Sequence, residues 1–264
     1  MKRRFLKMQG LGNDFVVFDA RREPLGMDGA TVRALADRRT GIGCDQLILL
    51  EPSDAADLRM RIWNPDGGEV EACGNAARCV ALLVGGACRI ETAGGIVAGV
   101  ADGGAATVDM GAPRFGWDDI PLAYPLDTAS VPVAWEPLEQ PFAVNVGNPH
   151  VVFFVDDPDE VPLERLGPLV ERDPLFPQRV NVNVASVEED GALRLRVWER
   201  GAGLTQACGT GACATAVAAI SRKLVRSPVP VHLPGGTLTI AWEPGGSIRM
   251  SGSAACVFEG EIAL

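Results

Sequence analysis

Residues Leu58–Asn75 read LRMRIWNPDGGEVEACGN, and residues Leu193–Thr210 read LRLRVWERGAGLTQACGT. Laid over one another without gaps they agree at 8 of 18 positions, with Met/Leu and Ile/Val exchanges between them, at an offset of 135 residues. The same offset places Gly12-Asn13-Asp14-Phe15-Val16-Val17-Phe18 over Gly147-Asn148-Pro149-His150-Val151-Val152-Phe153, and Gln46 over Asn181. Separate blocks in one register mark a duplicated unit. Further along, Gly94-Gly95 answers to Gly235-Gly236 and Gly103-Gly104 to Gly245-Gly246, at offsets of 141 and 142, so a few residues were gained or lost between.

Within each copy, Leu58-Arg59-Met60-Arg61-Ile62-Trp63 and Leu193-Arg194-Leu195-Arg196-Val197-Trp198 alternate with the period of two of a strand buried on one face. Ala76–Leu83 and Gly211–Ile220 follow, rich in Ala and Leu and free of Pro, and are expected to be central, buried helices. The glycine pairs read as hairpin turns. Each copy is therefore an α+β unit, a sheet around one helix. Six prolines between residues 113 and 141 prevent a helix from continuing through that stretch, and the domain junction is placed there, giving domains of 1–115 and 116–252.

At 264 residues, with 47% hydrophobic and 22% charged, the chain has the length of one large or two small domains and is not a disordered composition. Lys and Arg number 24 against 34 Asp and Glu, a net charge of −10, which argues against nucleic acid as a partner. Lys7, Gln9, Asn13 and Asp14 interrupt the apolar core an export signal needs, and no stretch reaches the roughly 18 apolar residues of a membrane span. A soluble cytoplasmic protein without membrane contacts is expected. Seven cysteines form no secreted disulfide pattern, so reduced thiols are expected.

Two of those thiols stand in matching places. Ala72-Cys73-Gly74-Asn75 and Ala207-Cys208-Gly209-Thr210 each end a loop and begin a helix. A helix start offers unpaired N–H groups and about half a positive charge, which lowers a thiol's pKa and binds a carboxylate. If the units meet about a pseudo-two-fold axis, one thiol stands on each side of whatever binds between them. Two acid–base groups on opposite faces of a carbon are what stereoinversion requires, one removing a proton and the other returning one from behind. Racemisation or epimerisation follows, with helix-end N–H groups stabilising the carbanion and no metal or other cofactor required.

Rival readings account for less. Cys73, Cys79, Cys208 and Cys213 supply four thiols for zinc, but spacings of six and five residues are not those of a zinc knuckle. A cysteine hydrolase would pair Cys208 with His150, leaving the second matched cysteine without a purpose. A scaffold without catalysis is the third alternative. Cys44, Cys79, Cys88, Cys213 and Cys256 are expected to be packing residues, and His232 structural or solvent-facing.

These residues resemble the diaminopimelate epimerases, cofactor-independent enzymes that interconvert LL- and meso-2,6-diaminopimelate. The resemblance runs from Phe5-Leu6-Lys7-Met8-Gln9-Gly10-Leu11-Gly12-Asn13-Asp14-Phe15 through Gly41-Ile42-Gly43-Cys44-Asp45-Gln46 and Asn64-Pro65-Asp66-Gly67 to Cys73-Gly74-Asn75-Ala76-Ala77-Arg78-Cys79. It continues in Gly147-Asn148-Pro149-His150, Arg179-Val180-Asn181-Val182, Glu199-Arg200-Gly201 and Ala207-Cys208-Gly209-Thr210-Gly211. It departs from the usual pattern at Gly68, Ala76 and Leu204, and at Phe258, where relatives often carry a Tyr at a homodimer contact.

The resemblance implies a fold of two pseudo-symmetric α+β domains, each a barrel-like, mostly antiparallel sheet around a central helix, with residues 253–264 returning to the first. It implies that Cys73 and Cys208 exchange roles as thiolate base and thiol acid, assisted by His150 and Glu199. Gly74, Asn75, Gly209 and Thr210 would hold the carboxylate at the reacting centre. Asn13, Gln46, Asn64, Asn148, Asn181, Glu199 and Arg200 would bind the remainder of diaminopimelate, Arg200 being suited to a bidentate grip on a carboxylate. A homodimer is expected from the same resemblance. A proline or hydroxyproline racemase, which shares the paired thiols, is the nearest alternative; it does not call for the polar set around Asn64, Asn181 and Arg200.

Overall fold

The computed structural model describes residues 2–71 and 73–264; Ala72, which opens the first cysteine motif, lies outside the described residues. The chain forms two compact units, an N-terminal one up to residue 109 joined by residues 251–264, and a C-terminal one of residues 110–250.

In the N-terminal unit β1 (Lys2–Gly10) and β2 (Asn13–Asp19) form a hairpin, followed by α1 (Gly29–Ala36), β3 (Gln46–Glu51), β4 (Leu58–Trp63) and the short β5 (Glu69–Val70). The central helix α2 (Gly74–Val84) leads into β6 (Gly86–Thr92), β7 (Gly95–Asp102) and β8 (Ala105–Asp109). The sheet runs β1-β2-β3-β4-β6-β7-β8, antiparallel except for β2–β3 and β4–β6. Gly85, at φ 79°, ends α2 in a backbone conformation that a side chain would strain.

The C-terminal unit begins with a two-stranded ribbon, β9 (Ala134–Trp135) and β10 (Leu138–Glu139). Then follow β11 (Phe142–Asn145), β12 (Pro149–Phe154), α3 (Leu163–Glu171), β13 (Asn181–Val187), β14 (Leu193–Glu199) and β15 (Gly203–Thr205). The central helix α4 (Gly209–Ser221) is followed by β16 (Val229–Leu233) and β17 (Gly236–Ala241). β18 (Arg249–Ser253) crosses the division between the units, and β19 (Ala255–Ala263) pairs antiparallel with β1.

The duplication is legible in the ladders. Phe15 stands opposite Gln46 in β2–β3, and His150 opposite Asn181 in β12–β13, both parallel pairs. Leu47 faces Trp63 as Val182 faces Trp198, and Ile62 faces Val70 as Val197 faces Thr205. Where the glycine offset grows, so does that of the paired residue: Leu58–Ile90 in β4–β6 answers to Leu193–Val231 in β14–β16. A register slip of one residue would turn each strand's apolar set outward, so burial holds both copies to one pattern.

Each helix lies against its own sheet, α2 on β1, β6, β7, β8 and β19, and α4 on β11 to β14, β16 and β17. α4 is buried nearly all round, from Gly209 to Ala219 except at Thr210, which its run of small side chains permits. α2 is buried over Asn75–Ala81 and only half-buried in its last turn.

The proline-rich stretch is part of the C-terminal unit: Ile120, Leu122, Val131 and Leu138 join its buried core, because proline forbids helix but not the burial of apolar residues between. The division falls after Asp109 because the chain beyond it bonds within the second unit, Met110 N–H to the Ile248 carbonyl and Arg114 in both directions to Asn145. Contrary to expectation, Cys256 is not a packing residue but exposed, on a stretch of β19 from Cys256 to Glu259 whose two faces are both exposed. Among the described residues no helix is long and apolar enough to cross a membrane.

Candidate active site

Cys73 and Cys208 are the residues at which α2 and α4 begin. Both have extended backbones, φ −147° and ψ 117° at Cys73, φ −125° and ψ 107° at Cys208. Gly74 and Asn75 on one side, Gly209 and Thr210 on the other, occupy the first helical turns, where N–H groups lack helical partners and the helix dipole is positive.

In the C-terminal unit the thiol is buried and closely held. Cys208 Sγ accepts the Gly211 N–H at 3.3 Å and lies 3.6 Å from Thr210 Oγ1. Burial, and next the charge of Glu199, push the Cys208 thiol well above its ordinary range. Glu199, at the end of β14, accepts a hydrogen bond from Thr205 Oγ1 at 2.7 Å, and burial raises its carboxyl as well. The pair is thus arranged to keep a proton on the sulfur.

His150, fully buried, bonds Asn148 Oδ1 through Nε2 at 2.8 Å and Asn183 Nδ2 through Nδ1 at 3.1 Å. Burial lowers its pKa to about 3, so the ring is neutral. With both nitrogens held by amides, it is not placed to take a proton from Cys208, which removes the basis of the hydrolase reading. Asn181 bonds the backbone on both sides, Nδ2 donating to the Pro149 carbonyl at 2.9 Å and Oδ1 accepting the Arg200 N–H at 2.9 Å. The Arg200 guanidinium donates to the Gln178 carbonyl at 3.1 Å.

The N-terminal unit assembles a polar chain around its own helix start. Asn75 Nδ2 donates to Asn13 Oδ1 at 3.2 Å, and Asn13 Nδ2 donates to Asp45 Oδ2 at 3.0 Å. Gln46 Nε2 donates to Asn64 Oδ1 at 3.0 Å. Asn75 Oδ1 and Gln46 Oε1 are buried acceptors without a hydrogen-bond partner in the protein, a state that costs free energy unless a ligand donor arrives. Asp45 is held by Arg38 at 2.8 Å, and Asp14 by Arg38 and Lys7. Although burial pushes the Asp14 carboxyl up, its bonds to Arg38 and Lys7 win and hold it at about 2.

The expected site residues thus form Asn13–Asn75 and Gln46–Asn64 in the first unit, and Cys208–Glu199–Thr210, His150–Asn148 and Asn181–Arg200 in the second. Asp45, Thr205 and Asn183 were not singled out from the sequence. Asn183 carried a signal, since it lies two residues from Asn181 in β13 and so shares its face.

The comparisons bear on these motifs directly. The family model described as diaminopimelate epimerase matches residues 5–116 and 142–257. The chain belongs to the diaminopimelate epimerase family. A diaminopimelate epimerase of Rhizorhabdus wittichii is 64% identical over 265 residues, covering 100% of this chain and 97% of that protein. Between the two matched stretches, residues 117–141 lie within the proline-rich part of the second unit, whose apolar residues join its core.

Solved structures show the same two-domain, mostly β fold more widely than the diaminopimelate epimerases. A PhzF-family phenazine biosynthesis protein of Bacillus anthracis aligns with a TM-score of 0.72 at 16% identity, covering 100% of both chains. A hydroxyproline epimerase of Agrobacterium vitis aligns at 0.69 and 17%, covering 100% of this chain and 91% of that one. Proteins of differently named activities share the fold, so chemistry is argued from the site.

Proposed function

We propose that this chain catalyses the cofactor-independent epimerisation of LL-2,6-diaminopimelate to meso-diaminopimelate, a step toward lysine and peptidoglycan precursors, with Cys73 and Cys208 as its two bases. The thiolate of one cysteine takes the α-hydrogen, forming an S–H bond and leaving the electron pair on carbon. The thiol of the other gives its proton to the opposite face, and the two have exchanged protonation states. Donors at the starts of α2 and α4, from Gly74 and Asn75 and from Gly209 and Thr210, stabilise the charge that develops toward the carboxylate.

His150 and Glu199 assist, Glu199 by keeping Cys208 protonated until its proton is needed. Asn13, Gln46, Asn64, Asn148, Asn181 and Arg200 read the amino acid group at the far end. The unpartnered acceptors Gln46 Oε1 and Asn75 Oδ1 support a substrate that brings ammonium donors. The observation that carries the reading is the matched cysteine at the start of each copy's central helix, in a chain 64% identical to a protein named diaminopimelate epimerase.

The test is incubation with LL- or meso-diaminopimelate in deuterated water under reducing conditions. Deuterium enters one α-carbon with the wild type, and Cys73→Ala and Cys208→Ala each abolish epimerisation. No exchange by the reduced wild type sinks the reading. We also assign the enzyme to the cytoplasm as a homodimer; the exposed Val257 (58%) and Phe258 (48%) on β19 are the surface a second copy would cover, and sedimentation of Phe258→Asp as a monomer checks it.

A further inference from the structure

The two copies differ at one pair of core positions in a way the fold does not require. His150 and Asn183 lie on the neighbouring strands β12 and β13; at the same offset of 135 the first copy has Phe15 and Ile48, on β2 and β3. All four side chains are fully buried. The first unit shows that an apolar pair packs there, so the polar pair in the second, whose burial is unfavourable unless it is bonded, serves something other than the core.

The hydrogen bonds say what. Asn183 Nδ2 donates to the Val151 carbonyl at 2.9 Å, and a carbonyl accepts only, so the amide cannot be turned round. The same Nδ2 stands 3.1 Å from His150 Nδ1, which must therefore accept. A neutral imidazole with Nδ1 as acceptor carries its proton on Nε2, and Nε2 lies 2.8 Å from Asn148 Oδ1. Asn148 is then fixed with its oxygen occupied and its N–H groups available to a ligand's acceptor.

The helix start is adapted to the same residue. A Cβ on Gly211 would meet Asn183 Oδ1 at 2.7 Å and Cys208 Sγ at 3.2 Å, so glycine is required where Asn183 is present. The first copy, with Ile48 in place of Asn183, carries Ala76 in place of Gly211. Asn183 Oδ1 itself is buried without a hydrogen-bond partner, against that turn of α4. Polar pair and glycine change together between the copies.

We propose that Asn183 is a positioning residue of this enzyme: it sets the tautomer of His150, and through it the orientation in which Asn148 meets the substrate. The tautomer stands on geometry alone, whereas the effect on substrate rests on the function proposed above. Arg200 is the charged group that bears on the His150 ring, and it disfavours an imidazolium there.

The chain has two histidines, so ring-nitrogen NMR of the labelled protein, assigned with His232→Asn, reads His150 directly. In the wild type, Nδ1 should be unprotonated and Nε2 protonated from pH 5 to 9. In Asn183→Asp, whose carboxylate accepts from Nδ1–H, the unprotonated Nδ1 signal should disappear. Asn183→Ile should raise KM for diaminopimelate at least tenfold, with a smaller change in kcat. An unprotonated Nε2 in the wild type, a ring pattern unchanged in Asn183→Asp, or an unchanged KM in Asn183→Ile overturns the proposal; the first needs no variant to fold. A wild type with the expected ring pattern but no deuterium exchange instead refutes the function.

Discussion

The Glu199 carboxyl bonds the Cys208 thiol at the start of α4, and the charge of the first opposes ionisation of the second. The arrangement offsets what the helix dipole does to a thiol at that position. Its effect is to keep Cys208 a proton donor at neutral pH. Glu199→Gln, which keeps the volume and removes the charge, should shift the pH profile of Cys208 alkylation downward. A profile that stays in place would show that the two groups do not interact.

Gly211 has no room for a side chain: an added Cβ would meet Asn183 Oδ1 at 2.7 Å, Val197 Cγ2 at 3.0 Å and Cys208 Sγ at 3.2 Å. Gly211→Ala should therefore destabilise the protein by roughly 1–3 kcal/mol despite the better helix propensity of Ala, and should lower kcat. Asn183→Ile/Gly211→Ala, which reproduces the first copy's pair, should recover part of the stability but not the activity. Denaturant unfolding and initial rates measure both.

Buried neutral His150 makes stability depend on pH. Its folded pKa of about 3 lies below the ordinary 6.5, so the unfolded chain binds the extra proton first as pH falls. Its contribution is complete above pH 6.5 and is lost between there and pH 3, by up to about 1.4 kcal/mol per unit. His150→Phe, the first copy's residue, should flatten the stability curve between pH 7 and 5, as followed by urea unfolding.

Asp14 acts in a lower window. Its carboxyl is held at about 2, below the ordinary 3.8, so the stability it contributes is present above pH 4 and lost as pH falls toward 2. Arg38→Gln removes the bonds to Asp14 and Asp45 and should cost roughly 1–2 kcal/mol at pH 7, less near pH 2. It should also weaken substrate binding, because Asp45 holds the Asn13 amide. Thermal unfolding at the two pH values and KM separate the two effects.

Much of the fold was legible because its signals lie along the chain. The alternation at Leu58–Trp63 and Leu193–Trp198 marked strands, and the Ala-rich runs after Cys73 and Cys208 marked the helices. Composition was less informative: prolines between 113 and 141 show where no helix can run, but not that the apolar residues among them are buried in the C-terminal core. The site was legible as a set of residues but not as a set of bonds. That Asn181 is tied to Pro149 and Arg200, and Asn13 to Asp45, depends on which strands lie side by side.

The sequence by itself determined the duplication, the two cysteines at matched helix starts and membership of the family, because repeats, periodicity and motifs are properties of the order of residues. Only the tertiary structure decided that His150 is neutral and held between two amides, that Glu199 stands against Cys208, and that Gly211 makes way for Asn183. Those relationships join residues up to 33 positions apart, and proton affinities and amide orientations follow from burial and hydrogen-bond partners that exist only once the strands are in register.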